Sequence, residues 1–140
     1  MATEQPRYIS YPEAVLLHFW VMDLYGEIRY GVFDRDLVES ALARPRHAAV
    51  YESADIVRQA ATLCFGLLKN HPWVGGNKRT ATTITEAFLV ANGWELKASI
   101  AETIKLVLAI ESDRFSVDEI EMWLRAHIIP TRFRKENEKI

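Results

Sequence analysis

The chain of 140 residues is 49% hydrophobic and 26% charged, and its 17 Lys and Arg against 19 Asp and Glu leave a net charge of −2. That balance excludes a disordered, collagenous or coiled-coil chain and offers no bulk attraction to nucleic acid or anionic lipid. One cysteine excludes an internal disulfide and a Cys-based zinc cluster, and no apolar stretch reaches the ~20 residues of a membrane span. With no apolar leader in Met1 to Arg7, the expectation is a single cytoplasmic domain over residues 1–140, its charged tail fraying from about 130, with no membrane or direct nucleic-acid contact.

Ser10-Tyr11-Pro12-Glu13 predicts a capping box, because Ser and Glu three apart can satisfy each other's backbone amides. The helix behind it runs to about Tyr25, with Val15, Leu16, Phe19, Trp20 and Met22 at helical spacing and Gly26 as its stop. His18 within it reads as a satisfied, partly buried histidine. Ile28 to Phe33 alternates loosely and predicts a short β-like excursion. Asp34 caps a second helix with Leu37, Ala41 and Leu42, expected to stop before Pro45 and leave residues 44–52 as a loop carrying His47 to the site's edge.

A third helix from near Ser53 to Lys69 sets Ile56, Ala60, Leu63, Cys64 and Leu67 on one stripe, flanked by Ala61, Phe65 and Leu68. Such breadth predicts a central helix, with Cys64 as core packing. After a loop over 71–76, a fourth helix runs from Asn77 to the stop at Asn92-Gly93. Ile100, Ile104, Val107 and Leu108 mark a fifth. Ser116 to Glu119 predicts a second capping box, opening a sixth helix with Ile120, Trp123, Leu124 and Ile128 that Pro130 ends. Trp20, Trp94 and Trp123 read as core or partial core, and His127 as a charge suited to a helix C-terminus. The fold class is all-α: a helical bundle with a short β-like flap after the first helix.

Chemistry concentrates in His71-Pro72-Trp73-Val74-Gly75-Gly76-Asn77-Lys78-Arg79. Paired glycines let successive amides converge on one point, and the following helix adds free N–H groups and the positive end of its dipole. Lys78 and Arg79 add full charges where the dipole alone favours carboxylates, a conflict that a bound polyanion would relieve. His71 is the side chain here able to accept a proton near neutral pH.

This segment resembles the Fic motif, His-Pro-Phe-x-(Asp/Glu)-Gly-Asn-(Gly/Lys)-Arg. Asn77 to Ala81, and Leu37 to Pro45, are similar to the Doc ("death on curing") branch, and the resemblance covers residues 8–128. It implies a Fic-fold helical bundle that moves part of a nucleoside triphosphate, ATP or another, onto a protein hydroxyl, with Mg²⁺ assisting. In Doc-like toxins it implies transfer of the terminal phosphate to a translation factor, elongation factor Tu, under restraint by a Phd-like antitoxin. AMP transfer, as in most Fic enzymes, is the alternative.

Position by position, the resemblance makes His71 the base, Gly75, Gly76 and Asn77 the phosphate cradle, and Lys78 and Arg79 the groups on phosphate oxygens. Ile28, Arg29, Tyr30, Gly31 and Val32 become a flap whose edge docks the target peptide. The chain departs from the motif at Gly75, which stands where the family's acidic residue holds the metal, so no protein ligand for a metal is assigned. A weakly active binding module is therefore a further alternative, and Gly75→Asp is expected to raise Mg²⁺-dependent transfer. Trp73 replaces Phe and brings an N–H to satisfy, and Thr82 stands where longer relatives carry a second Arg. Thr82 to Glu86 has the spacing of the family's inhibitory motif, but Ala87 follows inside a core helix, which leaves restraint to a separate antitoxin.

Overall fold

The computed structural model describes residues 5–131, so the charged tail beyond lies outside the described residues. Helices α1 (Tyr11–Leu24), α2 (Arg35–Glu52), α3 (Ile56–Asn70), α4 (Asn77–Ala91), α5 (Ile100–Glu111) and α6 (Val117–His127) follow one another in the expected order. Two three-residue strands, β1 (Trp94–Leu96) and β2 (Ile128–Pro130), pair antiparallel and clip the end of α4 to the end of α6. Among the described residues no helix is long and apolar enough to cross a membrane.

Helix α3 is the centre, as its broad apolar surface requires. Ala60, Ala61, Leu63, Cys64, Leu67 and Leu68 are all buried, and it packs against α2, α4, α5 and α6. Burying each of its leucines contributes roughly 1.5–3 kcal/mol. Gly66 sits in the helix interior for a packing reason: a Cβ there would lie 2.6 Å from Cδ of Arg44, so only glycine lets α2 lie this close.

Several local expectations are corrected. Helix α2 does not stop before Pro45 but runs on to Glu52, so 44–52 is helix and His47 lies on it, lining a hollow with Arg44 and Tyr51 away from the site. Proline within a helix costs about 3 kcal/mol; here Val38, Ala41, Pro45 and Ala48 form one buried stripe, and packing on α3 offsets the loss. In α1 the buried face is Ala14, His18, Val21 and Met22, while Leu16, Phe19 and Trp20 are exposed. In α5, Leu106, Val107, Ala109 and Ile110 turn inward, leaving Ile100, Ile104 and Leu108 outside.

The capping box at Ser10 forms in both directions. At Ser116 it does not: the Ser116 hydroxyl donates to the Glu119 carboxylate at 2.8 Å instead of accepting its amide. Ile128 belongs to β2 and not to α6, where it pairs with Leu96. Residues 28–33 form no strand beyond a single antiparallel bridge, Val32 to Trp73.

Candidate active site

The end of α3 and the start of α4 face each other across the loop 71–76. His71 closes α3 in the left-handed conformation (φ 46°, ψ 56°), which a residue other than glycine adopts only at a cost. This turn leaves the imidazole about half exposed while Pro72 and Trp73 are buried. The carbonyl of Pro72 accepts from the amides of Phe33 (2.9 Å) and Asp34 (3.2 Å). The Asn77 side chain then closes the loop on itself, accepting from the Trp73 amide and donating to the Trp73 carbonyl, both at 3.0 Å. Gly76, left-handed at φ 67°, is the N-cap of α4 and has no side chain to occupy the helix's free amides. They remain available to an anion.

A cavity of about 380 Å³ opens at this helix end, lined by Glu27, His71, Gly76, Asn77, Lys78 and Arg79. Both cations have carboxylate partners that the sequence did not disclose. Arg79 pairs with Glu27 at 3.2 Å and lies over the Tyr25 ring at 4.0 Å from its centroid. Lys78 lies 3.7 Å from Glu111 Oε2, and His71 Nε2 lies 3.6 Å from Glu111 Oε1. Glu111, the last residue of α5, therefore stands between the expected base and a phosphate-holding cation. Its buried Oε1 makes no hydrogen bond among the described residues. Glu27 and Glu111 temper the conflict between the cations and the helix dipole, and no local pattern reveals them, because they arrive from distant segments.

The flap residues Ile28, Arg29, Tyr30, Gly31 and Val32 lie directly against the loop. Val74 donates to the Gly31 carbonyl at 2.8 Å, and a Cβ at Gly75 would lie 2.8 Å from the Arg29 carbonyl oxygen. Ile28 is 96% exposed, and the amides of residues 28–30 have no acceptor among the described residues. Under the flap, His18 is fully buried and bonds both Gly31 and Thr80. The Trp73 indole is buried with no partner for its N–H among the described residues, so the extra donor is unsatisfied. Thr82 turns its hydroxyl back onto the carbonyls of Lys78 and Arg79.

The residues present do not fit a Mg²⁺ ion held by this loop. Gly75 supplies no donor and has no room for one, Glu27 is engaged by Arg79, and no cluster of three or more His, Cys, Asp or Glu is gathered among the described residues. The site is built for a phosphate held by amides and cations.

The Fic/DOC family model matches residues 8–89, from just before α1 almost to the end of α4. A protein named Toxin Doc from Mycolicibacterium smegmatis (strain ATCC 700084 / mc(2)155) is 41% identical over 80 residues. That stretch is 52% of this chain and 61% of the relative's own length. The matched segment holds α1, the flap, the turn at His71 and the open end of α4, and on that extent of agreement the chain belongs to the Fic/DOC family.

Proposed function

We propose that this chain is a Doc-like toxin: an enzyme that moves the terminal phosphate of a nucleoside triphosphate onto a hydroxyl of a translation factor resembling elongation factor Tu, restrained by a Phd-like antitoxin. The observation that carries this is one juxtaposition. A half-exposed imidazole, His71, and an uncapped helix N-terminus with Lys78 and Arg79 line one cavity of about 380 Å³. His71 accepts the proton of the attacking hydroxyl. The terminal phosphoryl group passes to that oxygen, and the nucleoside diphosphate leaves. The α4 amides, Lys78 and Arg79 hold the non-bridging oxygens, so positioning and charge stabilisation carry the catalysis. No step is routed through a metal.

A protein partner is favoured by the apolar face that α5 leaves uncovered. Ile100, Ile104 and Leu108 line, with Tyr25, a groove of about 500 Å³ that shares Lys78 and Arg79 with the site. An apolar segment lying there would reach the phosphate-holding cations. The missing carboxylate at Gly75 favours a second reading, a Fic-fold module that binds nucleotide with little turnover. Expression in a bacterial host tests the proposal: the wild type should arrest growth, and His71→Ala at equal abundance should not. A small antitoxin-like protein encoded in the adjoining reading frame should relieve the arrest. Equal arrest by both forms would overturn the assignment of His71, and no arrest by either would favour the binding module.

A further inference from the structure

His18 joins three parts of the molecule. It sits on α1 with no exposed surface, its Nδ1 lies 2.8 Å from the Thr80 hydroxyl in the first turns of α4, and its Nε2 lies 2.9 Å from the Gly31 amide in the flap. Its ring stacks on Trp73 of the motif loop, with centroids 4.3 Å apart and planes 15° off parallel. The hydrogen bonds fix the tautomer. A backbone amide can only donate, so Nε2 must carry a lone pair, and the ring proton resides on Nδ1 and is donated to Thr80.

Gly31 is the residue through which the flap is fastened. Its φ of 128° is open in practice only to glycine, its carbonyl accepts from Val74, and its amide is taken by His18. Two residues earlier, the Arg29 carbonyl rests where a Cβ of Gly75 would be. The height of residues 28–32 over the phosphate loop is thus set by one bond from the loop and one from beneath, by His18.

We propose that His18 is a positioning residue: its neutral imidazole, locked as the Nδ1–H tautomer between Thr80 and Gly31, sets the flap on which the protein substrate docks, without touching the nucleotide. This rests on the transfer reaction proposed above. Burial holds the His18 pKa down at about 4, so the acceptor at Nε2 persists across the neutral range. A histidine that merely filled space would need neither the tautomer nor the bond to Gly31.

Two substitutions separate the bonds. The amide of asparagine reaches the place of Nδ1 and that of glutamine the place of Nε2, so His18→Asn keeps a partner for Thr80 while His18→Gln keeps an acceptor for Gly31. Three quantities are measured in each: amide exchange at Gly31 and Val74 by NMR, ATP affinity by calorimetry, and transfer of label from γ-labelled ATP to a protein of a bacterial extract. In His18→Asn, Gly31 exchange should rise by roughly tenfold or more as the local bond opens, with ATP affinity unchanged within about twofold. Label transfer should fall by roughly tenfold through a raised KM for the extract protein. His18→Gln should recover protection at Gly31 and transfer several times faster than His18→Asn.

Equal behaviour of the two variants would overturn the proposal. So would ATP affinity falling in step with transfer, which would place His18's effect on the phosphate loop instead of the flap. If His18→Asn does not fold, Thr80→Val frees the tautomer and should also speed Gly31 exchange; unchanged exchange would overturn the proposal equally. Should the wild type transfer no label while Gly31 exchange still separates Asn from Gln, the transferase reading falls and the fastening of the flap by His18 stands.

Discussion

Replacing Gly75 with alanine places a methyl group 2.8 Å from the carbonyl oxygen of Arg29, a contact that neither backbone can keep. Its φ lies outside the left-handed region, so the obstacle is space and not backbone angle. Overpacking of this kind costs about 1–3 kcal/mol. The stiffer unfolded chain returns about 0.4–1 kcal/mol. The steric effect prevails, and Gly75→Ala should lose about 0.5–2 kcal/mol by urea denaturation. Gly75→Asp adds the same methylene together with a carboxylate just ahead of the α4 amides, worth roughly 0.3–1 kcal/mol. It should therefore exceed the alanine variant in stability at low salt, with the gap closing as salt rises. The flap qualifies the expectation that an aspartate here improves Mg²⁺-dependent transfer. The carboxylate gains its place by lifting Arg29, so tighter Mg²⁺-nucleotide binding should come with faster amide exchange at Val74. An alanine variant as stable as the wild type would refute the seating of the flap on Gly75.

The remaining predictions concern the site's charges and strain. His71→Gly should remove the left-handed strain at the end of α3 and raise stability by about 1 kcal/mol in urea, while lowering transfer by roughly 10²-fold or more. A variant both unstable and active would contradict both halves. Arg79→Ala should weaken ATP binding measured by calorimetry, with Lys78→Ala milder because an ammonium lacks the bidentate grip of guanidinium. The Arg79 variant's thermal stability should barely move, since relief from the helix dipole (about 0.3–1 kcal/mol) cancels the lost Glu27 pair and Tyr25 contact, each of similar size. His18 makes the fold acid-sensitive. Neutral in the fold down to about 4 but basic at 6.5 when unfolded, it stabilises fully above 6.5 and progressively less as pH falls toward 4, a difference of about 3 kcal/mol. Urea midpoints of the wild type should thus fall more steeply across that window than those of His18→Gln, and parallel profiles would count against a neutral buried His18.

Helix order, the central place of α3 and the loop-to-helix anion site were legible because each is written in local pattern: an apolar stripe, a cap, two glycines before two cations. The misread elements lacked such a pattern. Pro45 looked like a stop, although Val38, Ala41, Pro45 and Ala48 keep helical spacing straight through it. Apolar side chains all round α1 hid which face turns inward, and the small Ala14 and polar His18 on that face disguised it further. Three-residue strands such as β1 and β2 are too short to show a period. In the site, the motif supplied His71 and the cradle, whereas Glu27, Glu111, His18 and Thr80 meet only through tertiary packing. Their partners lie far apart in sequence, 62 residues in the case of His18 and Thr80.

The central claim is that this site moves a terminal phosphate from nucleotide to protein with His71 as base. Its most direct test is to incubate the purified chain, and His71→Ala, with a bacterial extract and ATP labelled at either the γ- or the α-phosphate. The account predicts one labelled protein band from the γ-label, none from the α-label, and loss of that band in His71→Ala. Label from the α-phosphate would instead make the enzyme an AMP transferase, and label that persists without His71 would contradict the mechanism.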